Sequence, residues 1–286
     1  MAHGVDKKII ADRFCSAIRS YEHEAVIQRQ IAQKLFDMIC RNVDAKETLS
    51  IAEVGCGTGF LSKLIYENLV LKNTHNSLWL NDLCIPMGNL FKEWERTCFI
   101  GGDAEMIFGT NGRTMQNKTF QNLESKSFDL IATTSVIQWF ENQIVFLRSC
   151  NKHLADNGLM ALSTFGPETF KEIRLLTGVG LEYFSLDEYK RFLQPYFEIV
   201  EAEEEQRTQL FSSPIAVLKH LKSTGVNGVR SLDGTKVKEE DGYEEFRWTK
   251  QRLEKFSDDY TRLYSSDDKK SVRLTYHPIY LILKKI

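Results

Sequence analysis

The feature that most constrains the fold is a glycine-rich turn that directly follows an apolar run. Residues 49–54 read LSIAEV, which is typical of a buried strand, and GCGTG follows at 55–59. The pattern over 59–69 predicts a helix after this turn. In parallel α/β sheets such a turn brings the backbone close to a ligand, because glycine adopts conformations that other residues avoid. The segment therefore predicts a Rossmann-like α/β fold with a ligand site where the strand ends.

The glycine spacing separates this turn from two phosphate-binding loops. A dinucleotide fingerprint, G-x-G-x-x-G, would need a glycine at position 60, which is Phe60. The turn also lacks the Gly-Lys-Ser/Thr ending of a P-loop. An ordinary glycine turn that binds nothing remains the alternative, because one glycine-rich loop is weak evidence.

Strands and helices alternate along most of the chain. Helices are predicted over 6–41, 59–69 and 142–154, and strands over 49–54, 78–80, 98–100, 128–134, 159–164, 197–202 and 274–284. This alternation is typical of a parallel sheet with helices on both faces. We expect an α/β fold with a doubly wound, mostly parallel sheet and helical lid insertions. The expected single domain, residues 1–286, divides into an N-terminal helical lid (1–45), a core sheet (46–202 and 273–286) and a helical insertion (203–272).

Acidic residues end two of the predicted strands. Asp82 closes the second strand, at the place where an acid in this kind of sheet typically accepts hydrogen bonds from ribose hydroxyls. Asp103 follows the third strand. Each of them could instead be a helix N-cap or a turn residue. Together with the glycines, and in this order, they favour a nucleoside-containing cofactor at the carboxyl edge of the sheet.

Composition argues against several classes of protein. The formal net charge is -2 and no run of Lys and Arg forms a basic patch, so we expect no nucleic-acid partner. Apolar runs are far shorter than the roughly 20 residues that span a membrane, and no apolar signal core is present, so we expect a cytoplasmic protein that does not enter the membrane. The six cysteines have no zinc-site spacing, so we expect no metal. An even number of cysteines could form disulfides, but these rarely persist in the cytosol, so we expect reduced thiols throughout. The oligomeric state stays open.

Several stretches carry a family resemblance. The pattern Glu-x-Gly-x-Gly-x-Gly resembles motif I of class I methyltransferases. Nearly the whole chain resembles the malonyl-acyl-carrier-protein O-methyltransferases of biotin synthesis, although the stretches 109–127 and 229–245 look longer than is usual there. The resemblance is carried by Arg13–Tyr21 with Ala25 and Gln28-Arg29, by Gln138-Trp139, by Leu162–Phe170, and by Leu221–Gly225 with Thr275-Tyr276-His277.

The resemblance implies S-adenosylmethionine as cofactor and methyl transfer to the free carboxylate of a malonyl thioester. The thioester carrier would be acyl carrier protein or coenzyme A. Another small carboxylate or a hydroxyl acceptor is the alternative activity, and a cofactor-binding protein without catalysis is the alternative class. The cofactor-binding residues implied are Glu53, Gly55, Gly57, Gly59, Asp82, Leu83, Asp103, Ala104 and Ser135.

Three residues are expected to act on the acceptor. Tyr21 would close over the cofactor, and Trp139 would line the chamber in which the methyl group is transferred. Arg148 would bind the carboxylate through two hydrogen bonds from its planar guanidinium. The two aromatic residues could instead pack in the core, and the arginine could be a solvated helix residue. Arg29 would be the next cation to consider, and His277 is more readily structural than a base.

The outer segments are expected to cover the site. Methyl transfer between opposite charges requires that water be excluded, which the edge of a sheet alone cannot achieve. We expect the N-terminal helix and the insertion to share this task. An acidic carrier protein would dock on a few basic residues at the rim, for which the candidates are Lys219, Lys222 and Arg230.

Overall fold

The computed structural model describes residues 7–43, 48–109, 126–224 and 248–286. Its centre is a seven-stranded sheet of order β3-β2-β1-β4-β5-β9-β6. Strands β1 to β5 pair in parallel, and β9 runs antiparallel between β5 and β6. The predicted doubly wound, mostly parallel sheet is confirmed.

The strands and helices follow one another along the chain with short connections. The strands are β1 (Ser50–Val54), β2 (Ser77–Asp82), β3 (Thr97–Gly101), β4 (Phe128–Thr134), β5 (Leu154–Phe165), β6 (Phe197–Glu204), β7 (Arg207–Phe211), β8 (Val272–Tyr276) and β9 (Pro278–Lys285). The helices are α1 (Lys7–Glu24), α2 (Val26–Asn42), α3 (Phe60–Ile65), α4 (Ala104–Ile107), α5 (Gln143–Asn151), α6 (Lys171–Thr177), α7 (Leu186–Leu193), α8 (Pro214–Ser223) and α9 (Lys250–Tyr264). A π-helical turn (Tyr66–Val70) and two 3₁₀ segments (Ile85–Phe91 and Ile137–Trp139) complete the described elements.

Helices cover both faces of the sheet, which explains why its strands are apolar on both sides. One core contains Ile51 of β1 together with residues of α2, α3 and α9. The other contains Ala52 and Val54 of β1 together with residues of α5 and α7. Because successive strand residues point to opposite faces, one strand contributes to both cores. The sheet is therefore anchored on both sides, and its carboxyl edge is left for ligands.

The predicted helix over 6–41 is broken into α1 and α2 at Ala25. Ala25 has φ -84° and ψ 51° and is fully buried. The break lets α2 pack on the sheet while α1 turns away and reaches α8, where Ser20 Oγ donates to Ser223 O at 2.9 Å. Helical periodicity continues through the break, so the sequence pattern alone could not locate it.

The insertion is not wholly helical. Strands β7 and β8 form a separate antiparallel pair, and helices α8 and α9 flank the segment that is not described. The single strand predicted over 274–284 is divided at His277, because β8 pairs with β7 whereas β9 enters the main sheet. Asn157-Gly158 lies inside β5, where Asn157 has φ 62° and the pairing with β4 shifts register.

The cysteines differ from expectation. Cys15 of α1 and Cys84, which follows β2, form a disulfide with their Cα atoms 5.6 Å apart. The prediction of reduced thiols throughout is therefore wrong for this pair, and Cys40, Cys56, Cys98 and Cys150 are free. The two residues are 69 positions apart, and only the packing of α1 over the sheet edge brings them together.

Two further findings concern the described residues alone. None of their helices is both long enough and apolar enough to cross a membrane. Their His, Cys, Asp and Glu side chains form no group of three that could hold a metal ion.

Candidate active site

The turn after β1 forms the floor of a pocket at the carboxyl edge of the sheet. Gly55 and Gly57 have φ of 69° and 52°, in the left-handed region that favours glycine. A Cβ on Gly55 would lie 2.3 Å from Cγ2 of Val136, so only glycine fits between β1 and the residues after β4. Both glycines line the pocket. Gly59 begins the following helix with φ 92° and lies outside the lining.

Glu53 lies buried beneath this turn. It is 1% exposed, and neither carboxyl oxygen has a hydrogen-bond partner among the described residues. Burial raises its pKa to about 8, while the nearby Ser62 side chain opposes the rise and the Asp82 charge adds a smaller contribution to it. It does not line the pocket itself. The family-implied contact with the cofactor is therefore not direct in this arrangement.

Asp82 joins the first two strand ends. Its Oδ2 accepts from the backbone N–H of Gly57 at 2.8 Å, and its Oδ1 accepts from that of Cys84 at 2.8 Å. Burial raises the pKa of Asp82, while these two hydrogen bonds oppose the shift. A carboxylate has about four acceptor sites, so the group can still receive ligand hydroxyls. Leu83 lines the pocket beside it.

Charged side chains cluster just after the end of β3. Asp103 caps α4 by accepting from the backbone N–H of Glu105 at 3.0 Å, and Ala104 lines the pocket beside it. Lys7 of α1 reaches across to both acids, with Nζ 2.6 Å from Asp103 Oδ2 and 2.5 Å from Glu105 Oε2. These contacts tie the N-terminal helix to the rim of the pocket.

The fourth strand end supplies Ser135 and Trp139. Ser135 has φ 58°, unusual for a residue with a Cβ, and its Oγ is buried without a described partner. Its carbonyl accepts from Gln138 Nε2 at 2.7 Å. Trp139 ends the 3₁₀ turn, is buried, and packs edge-to-face on Phe14 of α1, with ring centroids 5.7 Å apart. Backbone strain of this kind is found more often at functional sites.

Helix α1 covers the pocket. Tyr21 stacks on Phe60 with ring centroids 5.8 Å apart and interplanar angle 22°. Lys7, Ile10 and Phe14 from the same helix line the pocket, one helical turn after another. Burial and the charge of Asp82 raise the pKa of the Tyr21 hydroxyl, which therefore stays protonated.

A smaller chamber branches from the pocket beside Ser135. It shares Phe14, Tyr21, Gln28, Ser135 and Trp139 with the larger pocket. It continues inward between the sheet, the α6–α7 connection and the end of α8, where its lining is Gln138, Phe165, Phe170, Tyr183 and Thr224.

The structure gathers most, but not all, of the residues expected from the sequence. Around the pocket lie Tyr21, Gly55, Gly57, Asp82, Leu83, Asp103, Ala104, Ser135 and Trp139. Arg148 is not among them: it is exposed on α5 and its guanidinium lies 4.2 Å from the Tyr196 ring centroid. The expected binding of a carboxylate by Arg148 is not supported by this position. Arg29 also lies outside both linings, over the Phe60 ring at 4.8 Å.

Sequence reasoning missed several lining residues. Lys7 reads as an ordinary helix-surface lysine, and Gln28 could equally have been helix surface although it is 5% exposed and lines both cavities. Tyr183 lies in a connection without periodicity, so nothing in the sequence distinguished it. His277 occupies the β8–β9 corner, with Nε2 3.2 Å from Glu204 Oε2, and lines neither cavity.

Comparison with known proteins identifies the family. A model described as a methyltransferase domain matches residues 27–203. The malonyl-[acyl-carrier protein] O-methyltransferase of Bacteroides helcogenes is 36% identical over 98% of this chain and 99% of its own length. The enzyme of that name from Bacteroides thetaiotaomicron is 38% identical over 98% and 99%. The chain belongs to the malonyl-[acyl-carrier protein] O-methyltransferases.

One relative is larger than this methyltransferase. The malonyl-[acyl-carrier protein] O-methyltransferase of Bacteroides fragilis is 39% identical over 98% of this chain, which spans 50% of that protein's length.

Solved structures agree on the fold at low identity. The YcgJ protein from Bacillus subtilis has a TM-score of 0.53 at 12% identity, covering 88% of this chain and 98% of its own. MccD protein has a TM-score of 0.51 at 12% identity over 88% and 96%.

The cofactor of such a methyltransferase is S-adenosylmethionine, and the residues present suit it. The glycine turn leaves room for close backbone approach, since a Cβ on Gly57 would meet nothing within 4 Å. The buried, unpartnered hydroxyl of Ser135 gives the pocket a spare polar group. Asp82, at the end of β2, lies where sheets of this class bind ribose hydroxyls.

Proposed function

We propose that this chain transfers a methyl group from S-adenosylmethionine to the free carboxylate of a malonyl thioester carried by acyl carrier protein. The proposal is supported by the names of full-length relatives at 36% and 38% identity. It is also supported by the chemistry of the smaller chamber, which lies next to the strand end where the methyl group would be presented.

The observation that carries the proposal is the lack of a general base in that chamber. Its described lining contains no Asp, Glu, His, Lys or Arg. A hydroxyl acceptor would need a group to remove its proton. A malonyl carboxylate is already ionised at neutral pH, because carboxyl pKa values lie near 4. The chamber therefore favours an acceptor that arrives as an anion over a hydroxyl acceptor.

Within this function, S-adenosylmethionine supplies an electrophilic methyl group on a cationic sulfonium. Asp82 would hold the ribose hydroxyls, with its own orientation fixed by the N–H groups of Gly57 and Cys84. Asp103 and Ala104 would face the adenine. Tyr21 and Trp139 would close the chamber around the acceptor and exclude water, which strengthens the attraction between carboxylate and sulfonium.

The thioester carrier would approach at the end of α8. Thr224, just after this helix, lines the smaller chamber, and Lys219 and Lys222 are exposed one turn apart on α8. An acidic carrier protein would dock there and deliver its pantetheine arm inward. Arg230, the third basic residue expected from the sequence, lies outside the described residues.

Initial rates with a panel of acceptors test the proposal. Malonyl-carrier protein, malonyl-coenzyme A, succinyl-carrier protein, free malonate and a small alcohol would be compared at equal concentration. The expected result is fastest methylation of a malonyl thioester and none of the alcohol. Faster methylation of the alcohol, or of free malonate, would overturn the assignment.

A further inference from the structure

The smaller chamber would have to accept an anion without offering it a charged protein group. Its described lining is aromatic or neutral and polar, and Lys7, the cation of the larger pocket, is already bound to Asp103 and Glu105. Burying a carboxylate without a countercharge or hydrogen-bond donors is costly. The smaller chamber must therefore stabilise an acceptor carboxylate through uncharged hydrogen-bond donors and through a positive charge located where it joins the larger pocket.

Two tyrosine hydroxyls are available as donors. Tyr21 comes from α1 and Tyr183 from the connection between α6 and α7, and both line the chamber. Within the described chain, neither hydroxyl takes part in a hydrogen bond, whereas the chamber's neighbouring Tyr276 is bound to His220 at 2.7 Å. Burial raises the pKa of Tyr21 and of Tyr183, so both hydroxyls remain protonated and able to donate.

Arg174 is a cation whose charge acts on Tyr183. It lies near enough to Tyr183 to oppose the rise of that hydroxyl's pKa. Its guanidinium, however, donates to the backbone oxygen of Pro167 at 2.5 Å and does not line the chamber. The positive charge of Arg174 therefore acts on Tyr183 from outside the chamber, and Arg174 does not contact an acceptor directly.

We propose that Tyr21 and Tyr183 bind the acceptor carboxylate, and that the cofactor's positive charge, not a protein cation, balances it. This inference rests on the proposed function. The acceptor should then bind well when the larger pocket holds a cationic cofactor and poorly when it holds neutral S-adenosylhomocysteine. The methyl ester carries no charge and faces neutral S-adenosylhomocysteine, so the binding that held the substrate is lost once the methyl group has moved.

Calorimetric titration without turnover tests the charge balance. Malonyl-pantetheine is titrated into enzyme loaded with sinefungin, whose amine is cationic in place of the sulfonium, and into enzyme loaded with S-adenosylhomocysteine. We expect at least tenfold tighter binding with sinefungin. Equal affinity for the two complexes would overturn the inference.

Tyr183→Phe tests the hydrogen-bond donor. Loss of a hydrogen bond to a charged group corresponds to a weakening of roughly ten- to hundredfold, so malonyl-pantetheine should bind at least tenfold more weakly to the sinefungin complex. Affinity for sinefungin itself should not change, which also shows that the variant is folded. Tyr196→Phe is the matched control, because its ring lies under Arg148 and outside both cavities. The neutral methyl ester of malonyl-pantetheine should lose less than the acid does.

The remaining outcomes separate the two proposals. If the wild-type enzyme methylates malonyl thioesters but Tyr183→Phe binds them normally, the tyrosine inference is wrong and the proposed function stands. The tyrosine inference is equally wrong if Arg174→Gln loses acceptor binding while Tyr183→Phe retains it. If the wild-type enzyme neither binds nor methylates malonyl thioesters, both proposals fail.

Discussion

Asp82 shows how one side chain can organise two strand ends. Its carboxylate receives the N–H groups of Gly57 and Cys84 at 2.8 Å each, and it lines the pocket. We expect Asp82→Ala to weaken S-adenosylmethionine binding at least about tenfold, since a hydrogen bond to a charged group contributes about 1.5–3 kcal/mol. Calorimetry measures this, with Asp187→Ala, exposed in the first turn of α7, as control. Unchanged affinity would remove this residue from the site.

Glu53 gives the unliganded protein a pH dependence. Its folded-state pKa is raised by burial to about 8 from an ordinary 4.5, so the folded state retains the proton more tightly. Stability contributed by this group is therefore present below pH 4.5 and is lost as pH rises through 8. Relative to the parent, Glu53→Gln should gain stability across this window, by at most about 1.4 kcal/mol per pH unit.

Urea unfolding at several pH values provides that measurement. The exposed Glu198→Gln is the control, and its unfolding free energy should follow the parent's at every pH. Parallel curves for Glu53→Gln and the parent would show that the buried carboxyl does not retain its proton.

At the scale of elements, the disulfide fastens α1 to the loop after β2. Cys84 donates its N–H to Asp82, so the bond lies next to the cofactor pocket. We expect Cys15→Ser to lower the free energy of unfolding by about 2–5 kcal/mol under oxidising conditions. The exposed Cys40→Ser serves as control. Under a strong reductant the difference between Cys15→Ser and the parent should vanish, because the parent then also lacks the bond.

Thiol titration of the unfolded protein checks the pairing itself. The chain has six cysteines, of which four are free in the structure. Protein purified and unfolded without reductant should therefore show four reactive thiols. Six reactive thiols would show that Cys15 and Cys84 are not bonded, as the sequence alone predicted.

The core elements could be predicted from sequence because local patterns specify them. The run from Leu49 to Gly59 contains both an apolar strand and the glycines that end it, and Asp82 and Asp103 follow strands of the same kind. The break at Ala25 could not be predicted, because it depends on where α2 meets the sheet. Tyr183 lies in a connection whose position follows from tertiary packing. Arg148 lies outside both cavities, and its helix α5 packs on the face of the sheet opposite to α2 and α3.

At the scale of the whole molecule, docking of a carrier protein depends on local charge, since the net charge of the chain is -2. We expect added salt to slow methylation of malonyl-carrier protein more than that of malonyl-pantetheine, because exposed charge pairs are screened. Lys219→Glu with Lys222→Glu should raise KM for the carrier-protein substrate roughly tenfold and leave the pantetheine reaction unchanged. Lys152→Glu, exposed at the opposite edge of the sheet, is the control. Equal salt sensitivity of the two substrates would argue against docking on α8.

Mass spectrometry of malonyl-carrier protein, after incubation with the enzyme and S-adenosylmethionine, tests the proposed methyl transfer most directly. We predict one added methyl group per malonyl group, located by fragmentation on the terminal carboxylate and removed by mild ester hydrolysis. Acetyl-carrier protein, which has no free carboxylate on its acyl group, should remain unmodified. Methylation of a carrier-protein side chain, or of acetyl- and malonyl-carrier protein alike, would contradict the proposed function.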